Sequence, residues 1–277
     1  MIREQFNTTH GDTVIQMASQ VIDELHGINE YDLQQWIEYH DINYLEKCSS
    51  PHKKTLLHNY IESIYDSHID YLLDKHFPME VINTLLDIFD FYKVDYTSID
   101  KFQFRGLNDD EVYGTVQNVE VLAARLYDLY QDKIMSFVVD DIFTVLYSNK
   151  IFLYDFNLQL SELVSDLKQN NYPDFLKKDG VIKRSDYIPQ WLKDGVFYRD
   201  KGRCQICGGD LTRLLNIDNK INYDHIIPLE NSGTNDPTNF QITCETCNKS
   251  KGARNNAYNN ISDSYWKLDS YQLFDDV

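Results

Sequence analysis

The sequence predicts a mostly α-helical chain, with an acidic helical domain over residues 1–175 and a small α+β domain over residues 176–277, its core near residues 185–256. Three observations predict this. Apolar residues recur at helical spacing through the first 172 residues. The last third instead alternates turn-formers with short Ile-, Tyr- and Phe-rich runs. Four of the five cysteines fall in that last third as two pairs, Cys204-x-x-Cys207 and Cys244-x-x-Cys247, a staple that a small α+β unit with a thin core needs.

The helical elements follow in order. The run Thr13 to Ile22 carries apolar residues near helical spacing, as does the stretch from Leu56 and Leu57 through Tyr60, Ile61, Ile64, Tyr65, Ile69 and Leu72. Pro78 suits the first turn of a helix that continues through Phe89, because its missing N–H is not needed there. Asp109, Asp110 and Glu111 place acids at the start of another helix running through Leu126. Further helices are expected from about Ile134 to Tyr147 and from about Leu158 to Leu167. Asn170-Asn171-Tyr172-Pro173 breaks the pattern, and Lys177-Lys178-Asp179-Gly180 reads as a linker. Ile188 to Asp200 suggests a short helix feeding the first cysteine pair. Ile221–Ile227 and Phe240–Thr243 read as strands, with the turn-rich segment Glu230–Pro237 between them. The polar segment after Cys244 begins as a helix, and its Asn-rich end stops it.

Composition bounds the function classes. No apolar run approaches the ~20 residues that span a bilayer. The polar stretch Met1–His10 lacks the apolar core of a signal peptide, so a cytoplasmic protein without a membrane partner is expected. A formal charge of −18 argues at first against a phosphate-rich partner. The charge is unevenly spread, however. Residues 181–277 hold about 12 Lys and Arg against about 13 Asp and Glu, which leaves a net near −17 on residues 1–180. The C-terminal part is therefore judged by itself.

Paired cysteines in a chain without an export signal read as metal ligands before disulfides. Four thiolates suit tetrahedral zinc, and a closed four-sulfur shell leaves no open coordination position. Cys204, Cys207, Cys244 and Cys247 are thus expected to hold a structural zinc. The 36 residues between Cys207 and Cys244 leave room for a strand, a loop and a second strand. Cys48 stands alone and reads as a small core residue.

Inside that frame lie Asp224-His225 at the end of the first strand, Asn239 before the second, and Asn248 directly after Cys247. Together with Gly202–Gly208, Asp224–Leu229, Asn239-Phe240 and Cys244–Gly252, this ordered set resembles the HNH nuclease family, over about a quarter of the chain. The resemblance implies a two-strand, one-helix unit cupping a divalent metal, and a phosphodiester hydrolase acting on nucleic acid, DNA before RNA. It implies His225 as general base and Asp224 and Asn248 as ligands of the catalytic ion. Asn239 would be the central Asn that tethers the loop and orients the base. The last family position is often His; Asn248 stands here, which the family also accepts.

The chemistry suits those residue types. A histidine accepts a proton near neutral pH. A carboxylate and a carboxamide oxygen suit a hard cation, Mg²⁺ or Mn²⁺, which keeps waters and takes substrate phosphate oxygens. Lys249, Lys251 and Arg254 follow the helix start and are expected to contact phosphates, with Arg199, Lys201 and Arg203 adding to that face. The other histidines are scattered without a ligand spacing.

Residues 1–175 match no recognised motif. Three roles stand open for this domain: docking of a protein partner, autoinhibition by its acidic surface, or a solubilising scaffold. The layout resembles nucleases of prokaryotic restriction and antiphage defence. The competing reading is a non-catalytic, zinc-stapled nucleic-acid-binding or adaptor protein that works through its acidic helices.

Overall fold

The computed structural model describes residues 12–27, 33–39, 44–74, 78–97, 99, 119–214 and 220–252. These fall into two compact units, one of Met1–Tyr44 with Lys53–Ser148, the other of Leu45–His52 with Asn149–Val277.

The first unit is helical among its described residues: α1 (Asp12–Leu25), α2 (Leu33–Tyr39), α4 (Leu56–Asp74), α5 (Pro78–Tyr92), α6 (Val119–Lys133) and α7 (Met135–Ser148). On α1, Val14, Ala18, Val21 and Leu25 are all buried, the stripe that a 3.6-residue period puts on one face. That helix packs on α7, α5 packs on α6, and α4 lies against both α5 and α7. Trp36 and Tyr60 are fully buried and meet edge to face at 5.3 Å. Pro78 opens α5 as expected. The acidic helix start at Asp109 to Glu111 lies outside the described residues. His58 is a helix-start residue whose Nδ1 meets the Thr55 hydroxyl at 2.8 Å. No described helix is long and apolar enough to cross a membrane.

The second unit begins with most of α3 (Tyr44–Ser49) and resumes at Asn149, whose side chain accepts from the Phe152 amide and starts α8 (Lys150–Ser165). This helix begins well before the Leu158 start expected from its apolar spacing. The break at Asn170–Pro173 lies inside this unit, not at its edge.

Lys177–Gly180 is not a linker. It is the end of one strand and the turn of a hairpin, β1 (Leu176–Lys178) with β2 (Val181–Ile182), in which Asp179-Gly180 supplies the bend. Gly180 has φ +65°, and a Cβ there would lie 2.8 Å from the Ser165 carbonyl oxygen, so the residue suits the turn and its close packing on α8. The remaining elements are α9 (Gln190–Arg199), β3 (Ile221–His225), β4 (Phe240–Cys244) and α10 (Glu245–Lys251). Strands β3 and β4 pair antiparallel from Ile221 opposite Cys244 to His225 opposite Phe240, and α10 packs on both. A core of Leu192, Val196, Cys204, Leu211, Phe240 and Ile242 joins α9 to β4.

A metal staple and a histidine cleft

The first cysteine pair sits on a tight turn docked against β4. The Cys204 amide donates to Gly209, Gly208 donates back to the Cys204 carbonyl, and the Gln205 amide donates to Ile242 on β4. The second pair straddles the start of α10, where Cys244 is the N-cap and its sulfur accepts from the Cys247 amide at 3.4 Å. The register of β3 and β4 thus brings two distant Cys-x-x-Cys turns together. All four sulfurs lie within 4.8 Å of one another. Sulfurs around a tetrahedral zinc at ~2.3 Å stand roughly 3.8 Å apart, so this donor set fits zinc with a contraction of under about 1 Å. Burial opposes the Cys204 thiolate, yet backbone N–H groups of Cys244, Cys207 and Ile206 aim at its sulfur and bring the thiol down to about 7.

Asp200 locks this turn in place. Its fully buried carboxylate accepts from the Ile242 amide at 2.8 Å and from Arg199 Nε at 2.8 Å. Arg199 also donates to the Phe240 carbonyl. Its side chain is only 2% exposed, so Arg199 ties α9 to β4 and does not join a phosphate-binding face. Arg203 donates to Gly208, back into the cysteine turn, and Lys201 remains exposed.

The end of β3 delivers Asp224 and His225 to a cleft also lined by Asn248, Arg184, Lys177 and Glu230. Three of the four residues expected to do chemistry therefore share one cleft, and the fourth, Asn239, lies beneath it. Asn239 is fully buried. Its Oδ1 accepts from the Ile227 amide at 2.8 Å, and its Nδ2 donates to the carbonyls of Ile227 and Thr234 at 2.9 and 2.8 Å. It clamps the two ends of the loop after β3.

That loop is not a solvated turn. Thr234, Asn235, Asp236, Thr238 and Asn239 are all buried. The loop's polar side chains are bonded internally: Asp236 accepts from the Thr238 amide and hydroxyl, and Asn157 on α8 bonds the Thr238 hydroxyl. Gly233 makes the fold-back possible. A Cβ there would sit 1.9 Å from the Ile227 carbonyl oxygen and 2.9 Å from that of Pro228. Both are backbone atoms and cannot rotate away. Gly233→Ala is therefore expected to cost about 3 kcal/mol or more, at the upper end of overpacking losses. Calorimetry should show the melting transition of the second unit lowered; an unshifted transition would refute this reading of the loop.

His225 is 3% exposed and lies 4.5 Å from the Phe240 ring. Its Nε2 faces Asn235 Oδ1 at 3.2 Å. Burial first, then the charges of Arg184 and Lys251, push its pKa down to about 3, while the Asn235 bond works the other way. A pKa this low favours the neutral ring, with one nitrogen lone pair, at physiological pH.

Lys251 departs from the expectation of a phosphate contact. Its side chain is 1% exposed, and its ammonium meets Asp224 Oδ2 at 2.6 Å and the His225 carbonyl. Burial lowers its pKa and the Asp224 carboxylate opposes that. Lys251 lies three residues after Asn248, so both project from the same face of α10. Lys249 is exposed and pairs with Glu245 at 2.6 Å along the helix. Arg254 lies outside the described residues.

Arg184, Lys177, Glu230 and Asn235 stand at the site without a signal in the sequence that places them there. Arg184 lines the cleft with no acidic partner among the described residues. Lys177 and Lys178 instead share Glu230, and those hydrogen bonds hold its carboxyl down to about 2. Asn235 was read only as a turn-former. Its burial beside His225 depends on chain segments remote in sequence, so no local signal marks it. One oxygen of Asp224 is engaged by Lys251 and Gln241. The carboxylate and the Asn248 carboxamide together line the cleft as hard oxygen donors, a sparse set that suits an ion retaining several waters.

Comparison with known proteins agrees with this geometry. Residues 204–254 match the HNH endonuclease family. No curated protein and no solved structure matches the chain. Two antiparallel strands, a following helix and a four-cysteine cluster that fits zinc all fall within or beside that match. The chain therefore carries an HNH endonuclease domain at residues 204–254.

Proposed function

We propose that this protein is a metal-dependent endonuclease that hydrolyses phosphodiester bonds in DNA, with His225 as general base. The observation that carries the reading is a buried imidazole sharing one cleft with a carboxylate, a carboxamide and a guanidinium. Each suits one need of the reaction. His225 takes a proton from the attacking water as the new O–P bond forms and the bond to the leaving sugar oxygen breaks. That leaving oxygen takes a proton from solvent. Asp224 and Asn248 hold a divalent cation, Mg²⁺ or Mn²⁺, which supplies charge neutralisation at the phosphoryl group when bound. Arg184 faces the substrate phosphates, where its charge is worth most in a partly dry site. Asn239 acts at one remove, by holding the loop.

The zinc, on this reading, does no chemistry and keeps the two strands and the helix in register. A cytoplasmic nuclease of a restriction or antiphage system, with the acidic helical part docking a protein partner, is the setting that the layout supports. That part carries a net charge near −17 over residues 1–180 and repels DNA, so it does not serve as the DNA-binding surface.

The test uses the full chain on supercoiled plasmid and on a structured RNA, with Mg²⁺ or Mn²⁺ added or withheld. Cation-dependent plasmid cleavage is expected, reduced at least tenfold by Asn248→Ala, which removes one oxygen donor and leaves the Lys251–Asp224 pair intact. Binding without cleavage under every condition would favour the non-catalytic module, and cleavage indifferent to the cation would overturn the metal assignment.

A further inference from the structure

We infer that Asn235 is a positioning residue that fixes the tautomer and orientation of His225, placing the proton on Nε2 and the reactive lone pair on Nδ1. The inference rests on the reading of His225 as the base. Asn235 is fully buried, and its backbone amide donates to the Cys48 carbonyl at 2.7 Å. Its carboxamide cannot turn over. Nδ2 donates to the Ser49 carbonyl at 2.9 Å and to the Lys183 carbonyl at 2.8 Å, using both of its hydrogens. A flipped amide would set its oxygen against two carbonyl oxygens. Oδ1 is therefore the atom that faces His225 Nε2 at 3.2 Å, and the Ser185 amide approaches the same oxygen at 3.4 Å.

An amide oxygen only accepts. Nε2 must then carry a hydrogen whatever the charge of the ring, and in the neutral form that a general base requires, Nδ1 is the acceptor. The chain of restraint runs further. Asn239 Nδ2 holds the Thr234 carbonyl, next to Asn235, so the central Asn sets the base through Asn235 as well as through Ile227. Two of the three carbonyls that fix Asn235 belong to Cys48 and Ser49, and the third to Lys183. None lies within residues 204–254, the segment that matches the family. The family segment supplies the base, and segments around residues 48 and 183 fix how it is presented.

The experiment is nitrogen NMR on the full chain with ¹⁵N-labelled histidine, with the His225 signals assigned by comparison with His225→Gln. The wild-type ring should carry its hydrogen on Nε2, seen as a slowly exchanging downfield imidazole N–H. In Asn235→Leu, similar in shape but with no acceptor, that signal should exchange rapidly or vanish. In parallel, kcat for plasmid cleavage should fall at least tenfold with KM unchanged. A wild-type hydrogen on Nδ1 overturns the inference, as does an Nε2–H signal that persists unaltered in Asn235→Leu. Zinc content and melting behaviour report whether the variant folds; where it does not, the wild-type tautomer decides alone. The NMR result needs no cleavage activity, so a chain that cuts nothing would count against the nuclease reading while leaving the tautomer assignment to stand or fall separately.

Discussion

Cys204→Ser is expected to unfold the second unit and abolish its metal content. The wild-type chain should contain one zinc per molecule, and the variant close to none. The physical case rests on how little else holds this region. Its core around the cysteine turn is six buried side chains, one of which is Cys204 itself. Structural zinc in small domains contributes apparent free energies of about 10–16 kcal/mol, comparable with or above the ~5–15 kcal/mol stability of a whole domain. Losing one of four ligands forfeits most of that. The neutral, shorter serine hydroxyl also meets the backbone N–H groups that aim at the Cys204 sulfur less well. Because the chain has two compact units, a scan should resolve the effect: the transition of the second unit disappears and that of the helical unit stays. Metal analysis finding no zinc in the wild type, or a variant melting like the wild type, would refute the staple.

His225→Ala is expected to lower cleavage by about 10²–10⁴-fold while leaving fold and zinc intact. At 1.36 kcal/mol per tenfold, this is roughly 3–5 kcal/mol of transition-state stabilisation. The structural cost should be smaller. The ring packs on one face of Phe240, and its removal leaves Asn235 Oδ1 still close to the Ser185 amide. The Lys251 ammonium bonds the backbone carbonyl of residue 225, which alanine retains. The measurement is the rate of plasmid nicking, with zinc content and melting recorded on the same preparation. Wild-type cleavage by a folded, zinc-loaded variant would remove His225 from the mechanism. Loss of cleavage together with loss of zinc would instead mark it as a structural residue.

Local rules in the sequence determined much of this protein. Helical spacing located the buried stripes of α1, α4 and α5, because a 3.6-residue period is a property of the segment itself. The paired cysteines located the metal cluster, since ligand type and short spacing are also local. Asp224, His225 and Asn248, read as an ordered set, were placed in one cleft. The Asp179-Gly180 turn was equally local, yet two flanking lysines disguised its strands as a linker.

Only the tertiary structure decided the rest. It enlisted α8 and residues 45–52 into the unit that carries the HNH domain, through Asn157 on Thr238 and through the carbonyls of Cys48 and Ser49 on Asn235. Contacts between residues 81 and 186 positions apart leave no trace in local pattern. It turned Arg199 and Lys251, which read as surface cations, into buried partners of Asp200 and Asp224. A charged side chain is buried only where another part of the chain brings a countercharge and hydrogen bonds to meet it, and that meeting is a property of the fold alone.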